Sequence, residues 1–98
     1  MKRLSRAVRN ILRGRTILDF AAATFAAEAI GRHCDSTVAV PALLPLLQHR
    51  DPIVREGALI GLHYHYKIEI VRAALYQIAR RDPVKIIRCI ATEFLRPH

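Results

Sequence analysis

The phrase Arg-Asp-Pro occurs twice in the chain, and its two aspartates, Asp51 and Asp82, lie 31 residues apart. An apolar segment, a short turn and a second apolar segment separate the two occurrences. A fixed period of this size is typical of solenoids, in which one pair of helices cannot bury its apolar faces alone and stacks on its neighbours. The sequence therefore predicts an all-α fold of stacked helix pairs.

The first occurrence also begins like the catalytic loop of a protein kinase, because His49 and Arg50 precede Asp51. That loop needs an Asn five residues after the Asp to hold a metal ion, and Glu56 occupies this position. A Gly-rich phosphate loop and an Asp-Phe-Gly segment are also missing from the sequence. Asp51 is better suited to cap a helix that has Pro52 at its first position, since its carboxylate can accept hydrogen bonds from the N–H groups there.

The composition agrees with helices built from small aliphatic residues. The 98 residues are 52% hydrophobic and include only four Gly and no Trp. Such a chain favours helices rich in Ala, Leu and Ile over sheets. Its length suits one domain whose core is only marginally sufficient, which leaves self-association through incomplete end repeats open.

Apolar periodicity predicts six helices, of which the first covers residues 3–13 and ends at Gly14. Thr16 is the predicted N-cap of the second helix, with Asp19 as a capping-box partner. Gly31 is its predicted end. The Ala-rich sequence between them should allow a neighbouring helix to approach closely.

The third helix contains two prolines. Pro41 is tolerable only in a first turn, so the helix either begins near Val38 and kinks at Pro45 or begins later, near Pro41. The fourth helix begins after Asp51. Its predicted buried stripe consists of Val54, Ala58 and Leu62.

The last two helices lie on either side of the second Arg-Asp-Pro. The fifth covers residues 68–80, and the sixth begins after Asp82 and ends before Pro97. The apolar positions predicted for these two helices are Ile70, Val71, Ala74, Leu75, Ile78, Ile86, Ile87, Ile90, Ala91 and Phe94.

The segments "VAVPALLPLLQHRD" and "DPIVREGALIGL" resemble the short HEAT-like repeats of phycobilisome-lyase-type proteins, whose length is roughly thirty residues. The third copy, "DPVKIIRCIATEFL", departs from the pattern at the Arg position, and the first copy lacks the Asp-Pro corner. The resemblance implies a short right-handed α-solenoid in a single domain, residues 1–98. Its expected parts are a basic leading helix (1–15), repeat one (16–49), repeat two (50–80) and an incomplete closing repeat (81–98).

The same resemblance implies a polar ladder between repeats, made by the Asp that begins a helix and the Arg four residues later. It assigns structural roles to the residues of the two corners, which are Asp51, Pro52, Arg55, Asp82 and Pro83.

The net charge of the chain is strongly positive. The chain contains sixteen Lys and Arg residues and eight Asp and Glu residues, which gives a formal charge of +8 and an isoelectric point near 10.5. The first fifteen residues contain six cations and no acid. This excess favours an acidic protein or a nucleic acid as the partner. The predicted basic patch consists of Arg3, Arg6, Arg9, Arg13, Arg81, Lys85 and Arg88.

A metal site is a weaker interpretation of the segment "HYHYK". His63 and His65 could bind a metal with Cys34 or His33, because imidazole and thiolate suit zinc or copper. The simpler expectation is that Tyr64 and Tyr66 pack while the two His side chains face water. Cys34 and Cys89 are far apart in the sequence and lack the Cys-x-x-Cys spacing of metal or redox sites. We expect both to act as small hydrophobic residues. We therefore expect no metal and no cofactor.

Enzymatic chemistry finds no support in the sequence. Ser5 and Ser36 lie in a basic helix and in a cap, away from any predicted base. The acids that could form a catalytic pair are scattered among helices, at Glu28, Glu56, Glu69 and Glu93. The sequence therefore predicts a protein without catalytic activity.

The basic start of the chain is also typical of a mitochondrial transit peptide. A signal peptide is disfavoured because Asp19 and Glu28 interrupt its apolar region. No run reaches the roughly eighteen apolar residues of a membrane span. A cytoplasmic protein is the simplest expectation.

Protein binding is the leading functional hypothesis, because the resemblance implies a concave side formed by the second helix of each pair, here residues 38–48 and 68–80. Two alternatives stay open: binding to the phosphate backbone of nucleic acid, and action as a small inhibitor or immunity-type protein on an acidic partner. The predicted contact residues are Gln48, Lys67, Arg72, Tyr76 and Arg80.

Overall fold

The computed structural model describes residues 5–97, and these form six α-helices and one short 3-10 segment, without strands. The all-α fold is therefore confirmed. Arg3, which belongs to the predicted basic patch, lies outside the described residues. The helices are α1 (Arg6–Leu12), α2 (Phe20–His33), α3 (Ser36–Leu43), α4 (Pro52–His63), α5 (Glu69–Arg81) and α6 (Lys85–Phe94), and the 3-10 segment is Leu44–Gln48.

The helices stack in two layers. In the first layer α2 packs on α4, which also contacts α6. The second layer contains α3, the 3-10 segment and α5. α1 packs on α2 and α3 at one end of the stack, whereas α6 packs on α4 and α5 at the other. The core between the layers is aliphatic, and its largest fully buried side chains are Ile30, Leu43, Leu59, Leu62, Leu75 and Ile87.

The contact between α2 and α4 is unusually close because glycines lie where the helices cross. A Cβ added to Gly31 would lie 2.1 Å from the carbonyl oxygen of Gly61, and one added to Gly57 would lie 2.7 Å from that of Thr24. Thr24 Oγ1 also donates to the carbonyl oxygen of Ile53 at 2.9 Å. The prediction that Gly31 ends a helix was wrong, since α2 continues to His33 and this glycine serves helix packing instead.

The start of α2 also differs from the prediction. Its N-cap is Asp19 and not Thr16, and the Asp19 carboxylate accepts from the Ala22 N–H at 3.0 Å. Gly14 does end the first helix, with a φ of 65° that favours glycine. Ser5, expected inside that helix, caps its beginning instead.

The two prolines of the third helix are placed in different ways. α3 begins at Ser36, so Pro41 lies beyond the first turn, contrary to the prediction. The α-helix ends at Leu43, and Pro45 lies at the start of the 3-10 segment. A change of helix type at Pro45 corresponds to the predicted kink, because proline cannot donate the hydrogen bond that would continue an α-helix.

Two of the predicted apolar positions are exposed. Ile70 on α5 is 58% exposed and Ile86 on α6 is 61% exposed, so their assignment to the core was wrong. On each helix a neighbour is buried instead, Val71 on α5 and Ile87 on α6.

Candidate protein-binding surface

A buried ion pair joins the two Arg-Asp-Pro corners. Arg55 Nε donates to Asp82 Oδ2 at 2.7 Å, and Arg55 Nη2 donates to Asp82 Oδ1 at 3.0 Å. The two residues are only 7% and 5% exposed. Two parallel bonds between a guanidinium and a carboxylate fix both side chains more firmly than a single bond does. The pair has the form that the resemblance predicts for one rung of a polar ladder between repeats.

The two corners also share a backbone geometry. Asp51 Oδ1 accepts from the N–H of Ile53 at 2.8 Å, and Asp82 Oδ1 accepts from the N–H of Val84 at 2.9 Å. In both cases the carboxylate bonds to the N–H two residues later, which stabilises the turn. The helix starts differ, however, because α4 begins at Pro52 whereas α6 begins at Lys85, two residues after Pro83.

Three arginines clamp the starts of the last three helices in the same way. Arg55, Arg72 and Arg88 each lie four residues after the N-cap of their helix. Each Nη1 donates to the carbonyl oxygen six residues earlier, at 2.8 Å, 3.2 Å and 2.6 Å respectively. Arginine at this position therefore ties the helix to the turn that precedes it.

A groove of about 570 Å³ lies between the end of the 3-10 segment and the end of α5. It is open to solvent, and the buried Leu47 and Ile78, both from the second layer, contribute to its lining. Its exposed polar side chains come from both helix pairs, and they are Gln48, Arg50, Gln77 and Arg81.

The charge of this groove is positive. Asp82, the acid that lines it, is already paired with Arg55. Arg50 and Arg81 form no ion pair with any described residue, although the Arg50 guanidinium lies 5.4 Å from the centre of the Phe20 ring. The groove thus offers two cations and two amides beside an apolar lining, which suits carboxylates and backbone groups of a peptide.

The structure brings only part of the predicted contact set together. Gln48 lines the groove, but Arg72, Tyr76 and Arg80 form a separate exposed stripe along α5. Arg72 Nη1 also donates to the carbonyl oxygen of Lys67 at 2.7 Å, so these two residues support the turn before α5. The predicted contact residues therefore occupy two neighbouring surfaces.

Two groove residues were missed by the sequence analysis. Gln77 lies four residues before Arg81 on α5, so both project from one side of the helix, and this spacing was readable from the sequence. Arg50 is less obvious, since it lies in the turn next to the capping Asp51.

The residues of the predicted basic patch lie in two separate places. Arg6, Arg9 and Arg13 are exposed on α1 or just after it, at one end of the stack. Arg81, Lys85 and Arg88 lie at the other end, on α5 and α6. The predicted basic patch is therefore divided between the two ends of the stack.

His63 at the end of α4 and His65 in the turn after it are half-buried and contact other repeats, so the prediction that they face water was wrong. His65 Nε2 lies 2.8 Å from the carbonyl oxygen of Gly31, and Nδ1 lies 2.7 Å from Ser36 Oγ. Because a carbonyl only accepts, we assign the ring hydrogen to Nε2. His63 stacks on Phe94, with ring centres 4.0 Å apart. Both histidines therefore join repeats, and Tyr64 is half exposed instead.

Two exposed groups near these turns have shifted pKa values. The pKa of Asp35 is lowered, chiefly by the hydroxyl of Thr37, which donates to its carboxylate. The pKa of Arg32 is raised, chiefly by the hydrogen bond that its Nε donates to the Tyr64 hydroxyl at 3.2 Å. Both shifts stabilise charges at the surface and neither concerns the groove.

Residues 5–97 contain no group of three or more His, Cys, Asp or Glu side chains placed to hold a metal ion. Cys34 is half-buried and Cys89 is exposed, and neither forms a disulfide. None of the helices in this part of the chain has the length and apolar character needed to cross a membrane.

Comparison with known proteins identifies the architecture. The chain has no significant match among the curated proteins or the solved structures. A family model described as HEAT repeats matches residues 18–96, which cover most of the chain, including both Arg-Asp-Pro corners and the close α2–α4 contact. The chain belongs to the HEAT repeat family.

Proposed function

We propose that the protein is a non-catalytic adaptor that binds an acidic segment of a partner protein on its basic second-layer surface. HEAT repeats are generally modules of protein interaction. The observation that carries the proposal is the groove between the 3-10 segment and α5, where Arg50 and Arg81 lack acidic partners among the described residues. A closer kinship with the short repeats of phycobilisome-lyase-type proteins, without lyase activity, belongs to the same proposal.

The contact surface in this proposal extends beyond the groove. Tyr and Arg are favoured anchors of protein interfaces, and Tyr76 is 57% exposed beside Arg72 and Arg80 on α5. An extended segment that places a carboxylate between Arg50 and Arg81 would continue over this stripe. The whole chain, residues 1–98, acts in this proposal as one domain in the cytoplasm.

Two charge-matched variants test the proposal. Arg50→Gln with Arg81→Gln removes both groove cations, whereas Arg13→Gln with Arg15→Gln removes two exposed cations elsewhere and leaves the same net charge. When a cell lysate is passed over the immobilised proteins, the wild type and the control variant should retain the same polypeptide. The groove variant should not retain it. Equal retention by both variants would show that the groove is not the binding surface.

Nucleic-acid binding is the second candidate, favoured by one observation on α1. Arg6, Arg9 and Arg13 lie on and just after this helix with a spacing of three and four residues, all exposed. Contacts of this kind hold phosphates without reading sequence, and they weaken steeply with salt. Fluorescence anisotropy of labelled single- and double-stranded oligonucleotides at about 50 and 200 mM salt tests it. Binding that is lost in the triple Gln variant of these arginines would support this candidate.

A further inference from the structure

The Arg88 guanidinium makes the same bond to the preceding turn as Arg55 does, but it has no carboxylate partner among the described residues. Both residues lie four positions into a first-layer helix, and both use Nη1 to bind the carbonyl oxygen six residues earlier. In Arg55 this clamp leaves Nε and Nη2 directed at the next corner, where they bind Asp82. In Arg88 the corresponding Nε and Nη2 contact no acceptor among residues 5–97.

The surroundings of Arg88 form an open face at the end of the stack. A shallow groove of about 370 Å³ runs along the outer side of α6. Small side chains, Cys89 and Thr92, lie along it and would allow another helix to approach. The one acid in the groove, Glu93, already pairs with Arg96 at 3.3 Å. The residues that line the groove are Lys85, Arg88, Cys89, Thr92, Glu93 and Arg96.

We propose that this end face binds a helix of an acidic partner protein, and that Arg88 receives the carboxylate of an Asp at the start of that helix. The bond would be a second rung of the ladder, formed between two proteins. Arg88 is half-buried, with Nη1 already fixed, so little side-chain freedom remains to be lost when the carboxylate binds. This proposal is independent of the groove near Arg81, because it uses another surface.

The charges argue for a partner of different sequence and against a second copy of this chain. The N-cap of α2, Asp19, is the first-repeat counterpart of Asp82, but it shares a small cavity with Arg6 of α1. In a head-to-tail pair of copies, α1 would bring Arg6 and Arg9 close to Lys85 and Arg88. Like charges at such an interface oppose association.

A synthetic helical peptide tests the proposal directly. The probe begins with Asp-Pro, carries Ala on the face that would contact α6 and carries Glu elsewhere, and its control has Asn in place of the Asp. At about 50 mM salt, where charge contacts are weakly screened, the Asp peptide should bind and shift the Arg88 Nε–H resonance of the labelled wild-type protein. The Asn peptide should bind about tenfold more weakly, or worse.

Two variants locate the binding. Arg88→Lys keeps the charge but cannot form two parallel bonds. It should therefore weaken the binding of the Asp peptide and leave the binding of the Asn peptide unchanged. Arg15→Gln removes an exposed arginine outside both proposed surfaces and should leave peptide binding unchanged. Equal binding of the two peptides, loss of binding in Arg15→Gln, or no binding at all would overturn the proposal. A concentration-dependent shift of Arg88 without peptide would also overturn it, because the occupant would then be a second copy.

Discussion

Arg55 and Asp82 form a two-bond ion pair across the boundary between the second repeat and the closing helix, although 27 residues separate them in the sequence. Asp82 also stabilises its own corner through the Val84 N–H, and Arg55 also binds the carbonyl oxygens of His49 and Arg50. One pair of side chains therefore fixes two corners and the distance between them. It also lines the groove proposed for partner binding.

Replacing Arg55 with Ala should destabilise the protein strongly. The change leaves the Asp82 carboxylate buried without its partner and removes two bonds to backbone carbonyls, a loss of about 3–5 kcal/mol in the free energy of unfolding. Urea denaturation followed by circular dichroism measures this loss. Arg96→Ala is the control, because its pair with Glu93 is exposed and such pairs contribute less than about 1 kcal/mol.

A double replacement of the pair, Arg55→Leu with Asp82→Leu, separates the cost of an unpaired buried carboxylate from the loss of the hydrogen bonds. It removes both charges, so its loss should be smaller than that of Arg55→Ala. A double variant that is less stable than Arg55→Ala would show that the bond from the Val84 N–H to Asp82 contributes more than the unpaired buried charge costs.

Replacing Gly31 with Ala should destabilise the protein, even though Ala is the better helix former by about 1 kcal/mol. The new Cβ would lie 2.1 Å from the carbonyl oxygen of Gly61, so α2 and α4 would have to move apart. Thermal denaturation should show a clear decrease in Tm. The control is Ala73→Gly on the exposed face of α5, where the change alters only helix propensity. It measures how much of a change in Tm propensity alone can cause. A rise in the Tm of Gly31→Ala would contradict the close contact.

The Asp35 carboxylate should contribute a pH-dependent part of the stability. Its pKa is lowered in the folded protein, chiefly by the Thr37 hydroxyl, so its contribution is present above the unfolded pKa of about 3.9 and is lost as the pH falls through the folded pKa. Thr37→Val removes the hydroxyl and should raise the Asp35 pKa in an NMR titration. An unchanged pKa would assign the shift to the Val38 N–H instead.

The parts of the fold that depend on local rules could be predicted from the sequence. The Asp51 corner has a capping carboxylate and a proline at the first helical position, and both act within one turn of helix. The all-α class follows from apolar periodicity and composition. The link from Arg55 to Asp82 does not follow from local rules and needed the polar ladder that the resemblance implies between repeats.

The errors arose where contacts between distant segments override local preference. Gly31 has the sequence appearance of a helix end, but the approach of Gly61 keeps it inside a continuous helix. Ile86 and Ile87 are equally apolar, and the positions of α4 and α5 decide which one is buried. The groove joins Gln48 to Gln77 from two helix pairs, so no local pattern marks it.

Site-specific photo-crosslinking from position 77 tests the proposed adaptor function most directly. A photoreactive amino acid replaces Gln77 in the groove, and the same amino acid at Ala21, an exposed position on α2, is the control. We predict a discrete crosslinked polypeptide from position 77 alone, which added wild-type protein suppresses and the Arg50→Gln, Arg81→Gln variant does not. Equal crosslinking from both positions, or crosslinking to nucleic acid only, would contradict the account.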